Sequence, residues 1–169
     1  MSKVAEGEEI PIPNQMLSED FLVSNTLWPE TTKLYGHGYE ITCLAAANTK
    51  PLLASACRAQ SAKHAAIILW DLTSITTMKN MQSLEGHGLS VTALCFNQDD
   101  SRLLSISRDR MWILWGSNGT DGRWEQLQVK KSAHARVLYS AVWLAADVFA
   151  TGSRDKRLKV WKDGEITNN

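Results

Sequence analysis

The chain has 169 residues, sets 18 Lys and Arg against 18 Asp and Glu, and carries seven tryptophans among 44% hydrophobic residues. This length allows one or two domains. No apolar stretch follows Met1 and no apolar run reaches about 18 residues, so neither a secretory signal nor a membrane span is expected.

The zero net charge hides an asymmetry. In residues 1–27, Lys3 stands against Glu6, Glu8, Glu9, Glu19 and Asp20, whereas residues 102–162 carry twelve Lys and Arg against five acidic residues. That split predicts an acidic tail and a basic face. Cys43, Cys57 and Cys95 are odd in number and show no CxxC spacing. They read as small buried hydrophobes in a reducing compartment rather than as zinc ligands or disulfides.

Residues 1–27 are acidic, hold Pro11 and Pro13, and show none of the patterning that follows; they are expected to be a linker or arm. Leu17, Phe21, Leu22 and Leu27 could pack on a neighbouring element. From residue 28 to about 165 one pattern recurs three times, at about 32–71, 78–116 and 124–162. The first unit predicts a short strand near Thr32 to Tyr35, then Gly36-His37, strands Ile41 to Ala46 and Leu52 to Cys57, and a strand Ala66 to Trp70 followed by Asp71. The second predicts Met78 to Leu84, Gly86-His87, Val91 to Phe96, a polar turn at 97–101, Leu103 to Ser107, a tight turn holding Asp109, and a strand ending at Trp115. The third predicts Trp124 to Lys130, Ala133-His134, Leu138 to Trp143, Val148 to Ser153 and Arg157 to Trp161. A glycine-rich turn at 116–122 separates the last two, and no outer strand is expected after Trp161.

Residues 58–64 (RAQSAKH) are an insertion. Cys57 lies 13 positions before Trp70, but Ser107 and Ser153 lie 8 before Trp115 and Trp161. The extra length falls at one tight turn and removes the turn aspartate there. Added length at a loop tip costs little and often carries function.

The closing tryptophans recur at spacings of 45 and 46 residues. A period of roughly 40–45 with Gly-His and Trp punctuation marks a β-propeller with four strands per blade. Runs such as Ile67-Ile68-Leu69-Trp70 do not alternate, which fits strands covered on both faces. The expected fold is therefore all-β, with three four-stranded blades of an incomplete propeller. Closed propellers need roughly four to eight blades. The expectation is about half of a larger propeller, belonging to a longer protein or completed by a partner.

His37, His87 and His134 fall in three different blades and cannot converge on one metal ion. They read as structural, in step with Trp70 in the first unit, with Ser107, Asp109 and Trp115 in the second, and with Ser153, Asp155 and Trp161 in the third. In the WD-repeat family such His, Ser/Thr, Asp and Trp residues form a hydrogen-bonded network inside one blade, where mutual pairing offsets the cost of burying an aspartate. The first unit lacks the aspartate, which predicts a looser turn.

Arg58, Arg108 and Arg154 hold equivalent places after Cys57, Ser107 and Ser153. Tyr39, Leu89 and Arg136, each two residues after a histidine, should neighbour them. Repetition predicts one rim with an arginine per blade, suited to acidic protein segments or phosphate because the guanidinium fork binds anions bidentately. The competing reading is a merely solvated charged face. Lys156, Arg157, Lys159 and Lys162 suggest direct RNA contact as a further alternative, although no stacking aromatics are interleaved with them. No GxSxG, GxxxxGK[ST] or HExxH motif occurs, so no catalytic site, cofactor or metal is expected. Asp99-Asp100 reads as an exposed turn.

A closer resemblance lies in Asn25 to Glu30, Lys33 to Ile41, Leu52 to Cys57, His64 to Trp70, Ser107 to Arg110 and Thr151 to Lys156. Over residues 17–162 the chain resembles the family of WD-repeat subunits of the Elongator complex, and the insertion with the following AAIILW is distinctive of it. The resemblance implies part of the second of two seven-bladed propellers. It implies a scaffold that binds other Elongator subunits and supports modification of tRNA wobble uridines, with the chemistry in a different subunit. A generic WD-repeat adaptor is the alternative. The expected location is the cytoplasm, and also the nucleus.

Overall fold

A computed structural model describes residues 32–74, 79–117 and 122–162 and the backbone of 165–166. The chain divides into a unit of Met1–Lys33 and a unit of Leu34–Asn169. Only Thr32 and Lys33 of the first are described, so the expected arm at 1–27 lies outside the described residues.

In the second unit the strands are β1 (Ile41–Ala46), β2 (Leu52–Cys57), β3 (Ile67–Asp71), β4 (Lys79–Leu84), β5 (Val91–Phe96), β6 (Arg102–Ser107), β7 (Trp112–Ser117), β8 (Trp124–Lys130), β9 (Leu138–Trp143), β10 (Val148–Ser153), β11 (Leu158–Lys162) and β12 (Glu165–Ile166). They build three antiparallel four-stranded sheets, β1 to β4, β5 to β8 and β9 to β12, each ordered as in the sequence. The insertion between β2 and β3 contains one 3-10 turn, Ala62–His64.

Two expectations at the edges change. Thr32 to Tyr35 form no strand. The first described sheet begins with β1. After Trp161 the chain does return as β12, which pairs Trp161 with Ile166 and Lys162 with Glu165. Each sequence repeat is thus offset by one strand from a sheet: β4 and β8 open the second and third repeats but close the first and second sheets.

The middle sheet is covered on both faces. Leu103, Ile113 and Trp115 face Leu52, Ala54, Ala56, Ile67 and Leu69 of the first sheet. Leu104, Ile106, Trp112 and Leu114 face Leu138, Phe149 and Trp161 of the third. This is why β6 (RLLSIS) shows no polar alternation. Each such buried side chain contributes about 1.5–3 kcal/mol. Trp112 adds edge-on contacts to Phe149 and Trp161, with ring centroids 5.2 and 5.4 Å away, although its indole N–H has no hydrogen-bond partner among the described residues.

Polar seams fix the spacing between sheets. The ladder slips between Ile41 and Cys43 and between Val91 and Ala93, which frees Thr42 and Thr92 at bulges. Thr42 Oγ1 donates towards Val91 O at 2.9 Å and Ala56 O at 3.2 Å; Thr92 Oγ1 repeats this with Leu138 O at 2.8 Å and Ile106 O at 3.1 Å. At the opposite strand ends, Asp100 is fully buried. It accepts from Asn48 N at 2.8 Å, Thr49 N at 2.6 Å and Thr49 Oγ1 at 2.7 Å. The reading of Asp99-Asp100 as an exposed turn therefore fails for Asp100, whose partners lie about 50 residues away in the β1–β2 turn. Its backbone adopts φ 56°, a left-handed conformation that Asp tolerates better than most residues. Burial alone would raise its carboxyl pKa, but the donors from Asn48 and Thr49 outweigh that and hold it far below the usual range.

Replacing Asp100 strands several buried donors. Asp100→Ala should cost about 2–4 kcal/mol and lower the denaturant midpoint. Asp100→Asn, which keeps one acceptor and tolerates the positive φ, should cost less. Equal midpoints for all three chains would rule out the clamp.

Candidate functional site

The glycine before His37 and before His87 is set by a close approach. A Cβ on Gly86 would lie 2.8 Å from Ile113 Cδ1 and 3.2 Å from the Trp115 ring. The bare backbone lets His87 turn inward, where it is 2% exposed. Its Nδ1–H donates to Asp109 Oδ2 at 3.0 Å, and Nε2 lies 2.8 Å from Ser105 Oγ. The Trp115 indole donates to the same Ser105 oxygen at 2.9 Å. The third sheet repeats the chain: His134 Nδ1 to Asp155 Oδ2 at 2.9 Å, Nε2 to Thr151 Oγ1 at 2.9 Å, and Trp161 Nε1 to Thr151 Oγ1 at 2.8 Å. The first sheet has half of it. His37 Nε2 meets Ser55 Oγ at 2.7 Å, and Trp70 Nε1 donates to Ser55 Oγ at 2.7 Å.

The linking hydroxyls are therefore Ser55, Ser105 and Thr151, not Ser107 and Ser153. Ser107 and Ser153 sit one strand step further on. Ser107 Oγ donates to Leu89 O at 3.0 Å and accepts from Asp109 N at 3.2 Å, and Ser153 does the same with Arg136 O and Asp155 N, each at 3.2 Å. They hold the turn rather than the histidine. In the third sheet Ala133 stands where Gly86 does, and Lys159 Nζ donates to its carbonyl at 2.6 Å.

Both turn aspartates are strongly satisfied. Burial would raise the Asp109 pKa, but His87 and the Met111 and Gly88 amides lower it below the ordinary range. Asp155 is held down to about 2 by His134, Arg157 N and Ala135 N, against the same opposing cost of desolvation. The thiols go the other way: burial pushes Cys43 up to about 11 and Cys95 to about 12, and Cys57 is itself buried. All three cysteines are free.

The three rim arginines are fixed by one repeated backbone bond. Arg58 N donates to Glu40 O at 2.8 Å, Arg108 N to Ser90 O at 3.0 Å, and Arg154 N to Val137 O at 2.9 Å. Each acceptor is the residue just before β1, β5 or β9, so all three arginines stand at the same end of their sheets, and all three are exposed. Arg58 pairs with Glu40 at 3.2 Å. A 360 Å³ cavity is lined by Tyr39, Glu40, Arg58, Gln60, Ser61 and His64; a 390 Å³ cavity is lined by Thr42, Arg58, Ser90, Thr92, Arg108 and Tyr139. Arg58 is shared by both. Tyr39 stands edge-on to His64 at 4.9 Å. Leu89, Arg136 and Arg154 line neither cavity. Tyr139 was missed from sequence, although it follows Leu138 as Thr42 follows Ile41 and Thr92 follows Val91. The insertion also braces the seam: Ala59, 3% exposed, donates its N–H to Ser90 Oγ at 2.8 Å, and Ser90 Oγ donates back to Ala59 O at 2.9 Å.

The family model described as WD domain, G-beta repeat matches residues 28–71, 78–116 and 126–162. The chain belongs to this WD-repeat family. It is similar to Elongator complex protein 2 of Mus musculus, at 45% identity over 92% of this chain and 20% of that protein, and to the protein of that name from Saccharomyces cerevisiae, at 41% identity over 85% of this chain and 18% of that protein. It thus spans about a fifth of the length of the curated relatives it matches. The crystal structure of the Saccharomyces cerevisiae Sqt1 superposes with a TM-score of 0.65 and 16% identity, covering 77% of this chain and 34% of that one, a likeness of fold alone. Among the described residues of this WD-repeat chain, no cluster of three His, Cys, Asp or Glu could hold a metal ion, and no helix is long and apolar enough to cross a membrane.

Ser105→Ala should leave the Trp115 N–H and His87 Nε2 without their shared partner and cost about 1–3 kcal/mol. Ser107→Ala should cost less, and a reversed order in denaturant midpoints would restore Ser107 to the linking place. The aspartates set a pH window. A carboxylate whose folded pKa is depressed stabilises the fold fully above its unfolded value near 4 and loses that contribution as pH falls through the folded one. The melting temperature should hold between about pH 7 and 5 and fall steeply between about 4 and 2. Asp109→Asn should start lower and fall less.

Proposed function

We propose that this chain is a docking segment of a non-catalytic WD-repeat scaffold. Its rim around Arg58 and Arg108 binds acidic segments of partner proteins, and it serves an Elongator-type complex. The observation that carries the reading is the pair of adjoining cavities that share Arg58. Exposed guanidinium groups beside Tyr39 and Tyr139 offer bidentate anion contacts next to flat apolar surface, the mixture that recurs at protein interfaces. The relatives' name supports membership in a multi-subunit complex. On this reading other subunits carry out the modification of tRNA wobble uridines, and this chain contributes assembly.

Charge reversal tests it. In cells expressing the tagged full gene product, Arg58→Glu with Arg108→Glu should sharply reduce the partner proteins recovered and identified by mass spectrometry. The melting temperature should barely move, because exposed substitutions cost within about 0.5 kcal/mol. Undiminished partner recovery would defeat the reading. Retention of tRNA that weakens steeply with salt, and is lost with the arginines, would favour direct RNA contact instead.

A further inference from the structure

The first sheet contains an empty counterpart of the turn aspartate. In the second sheet the Asp109 carboxylate accepts from His87 Nδ1 and from Gly88 N, both at 3.0 Å. In the third, Asp155 accepts from His134 Nδ1 at 2.9 Å and Ala135 N at 3.2 Å. The matching donors of the first sheet are His37 Nδ1 and Gly38 N. The residue at the aspartate's place in the sequence is Ala59, which the insertion carries away to the seam with Ser90. Neither His37 Nδ1 nor Gly38 N has a hydrogen-bond partner among the described residues.

The proton on His37 is placed by its two copies. In the second and third sheets the imidazole hydrogen sits on Nδ1, facing a carboxylate, and Nε2 accepts from the linking hydroxyl; the same Trp–hydroxyl–His contact in the first sheet has Ser55 donate to His37 Nε2. The neutral ring then carries its own hydrogen on Nδ1. Burial lowers the His37 pKa, which favours that neutral ring. A cavity of about 110 Å³ opens here, lined by His37, Gly38, Cys57, Lys63, His64 and Ser83 together with apolar groups. Lys63 brings a cation, and no carboxylate among the described residues lines it. Two N–H donors and a lysine, with no acid among the described residues, form a site for a planar anion.

We propose that this cavity binds a carboxylate of a partner protein, an Asp or Glu side chain or a chain terminus, which takes the place filled by Asp109 and Asp155 in the other two sheets. That the carboxylate comes from a partner rests on the scaffold reading; the anion site itself rests on the two internal copies. Docking would thereby complete the hydrogen-bond chain of the first sheet and close the turn that the insertion opened.

The test uses the full chain labelled with 15N-histidine. His87 and His134 give internal reference signals for a carboxylate-bonded Nδ1–H. Sodium acetate, added against sodium chloride at equal ionic strength, should move the His37 Nδ1 signal saturably towards those references and leave theirs unchanged. Lys63→Glu, at an exposed position, should abolish the response; Lys63→Ala should weaken it several-fold. No acetate response at His37, an equal response to chloride, a stronger response to inorganic phosphate, or full retention in Lys63→Glu would each overturn the site. In cells, Lys63→Glu should also reduce partner recovery. A silent His37 with partner recovery intact would overturn this site while sparing the scaffold. Saturable acetate binding with no partner recovered by the unaltered protein would overturn the partner as the source of the carboxylate.

Discussion

One hydroxyl per sheet ties the fold together. Ser55, Ser105 and Thr151 each take the indole hydrogen of a tryptophan on the third strand and lie against the imidazole of a histidine from the loop before the first strand. The contact joins three parts of a sheet across its buried layer, where an unpaired polar group would cost about 1–3 kcal/mol. Everything near it follows from making that contact. In the first two sheets the loop carries glycine because the indole lies against it, whereas the third places Ala133 there. In the second and third sheets the histidine's other nitrogen takes the turn aspartate as its acceptor, which closes the turn. In all three sheets a backbone bond to the residue before the first strand sets the arginine at the sheet's end, with or without that aspartate.

The seams obey a second rule of the same kind. Neighbouring sheets meet through apolar side chains in the middle and through main-chain carbonyls at the first strand's bulge. Thr42 and Thr92 each share one hydroxyl hydrogen between a carbonyl of their own sheet and one of the next. A bulged threonine is suited to this because the ladder leaves it unpaired and its hydroxyl is short. Asp100 does the corresponding work at the far end, with one carboxylate spread over three residues of the preceding sheet's turn, Asn48, Thr49 and Lys50. At the bulge end of the sheets, rim residues from different sheets line one common cavity.

Much of this was legible in the sequence because the repeat is strong. Strands β1, β2, β5, β8, β9 and β10 run over the residues expected from apolar runs and Gly-His and Trp punctuation. The linking hydroxyl was not legible by spacing alone. Ser105 and Ser107 are two apart in one strand and share a face, so either could meet the histidine. The first repeat held the clue: it keeps a hydroxyl at Ser55 and has Cys57 at the other place, so the common hydroxyl is the earlier one. Asp100 was missed because its partners are in another repeat, and local reading sees only a polar turn. The offset between repeat and sheet escaped too, since β4 and β8 lead into the next Gly-His or Ala-His pair in sequence but pair with the strand before them.

The insertion at 58–64 shows how a repeat can exchange one constraint for another. In the second and third sheets the turn between the second and third strands is closed from within, by an aspartate that satisfies the histidine. In the first sheet the chain instead spends those residues on the neighbouring sheet, where Ala59 and Ser90 exchange hydrogen bonds, and on Tyr39, which meets His64. The seam gains an anchor at the cost of an internal acceptor. Because the histidine, serine and tryptophan of that sheet are kept while the aspartate is not, the loss falls on the solvent-facing end of the chain. That end, beside Lys63, is where a binding partner's charge can complete what the sequence left open.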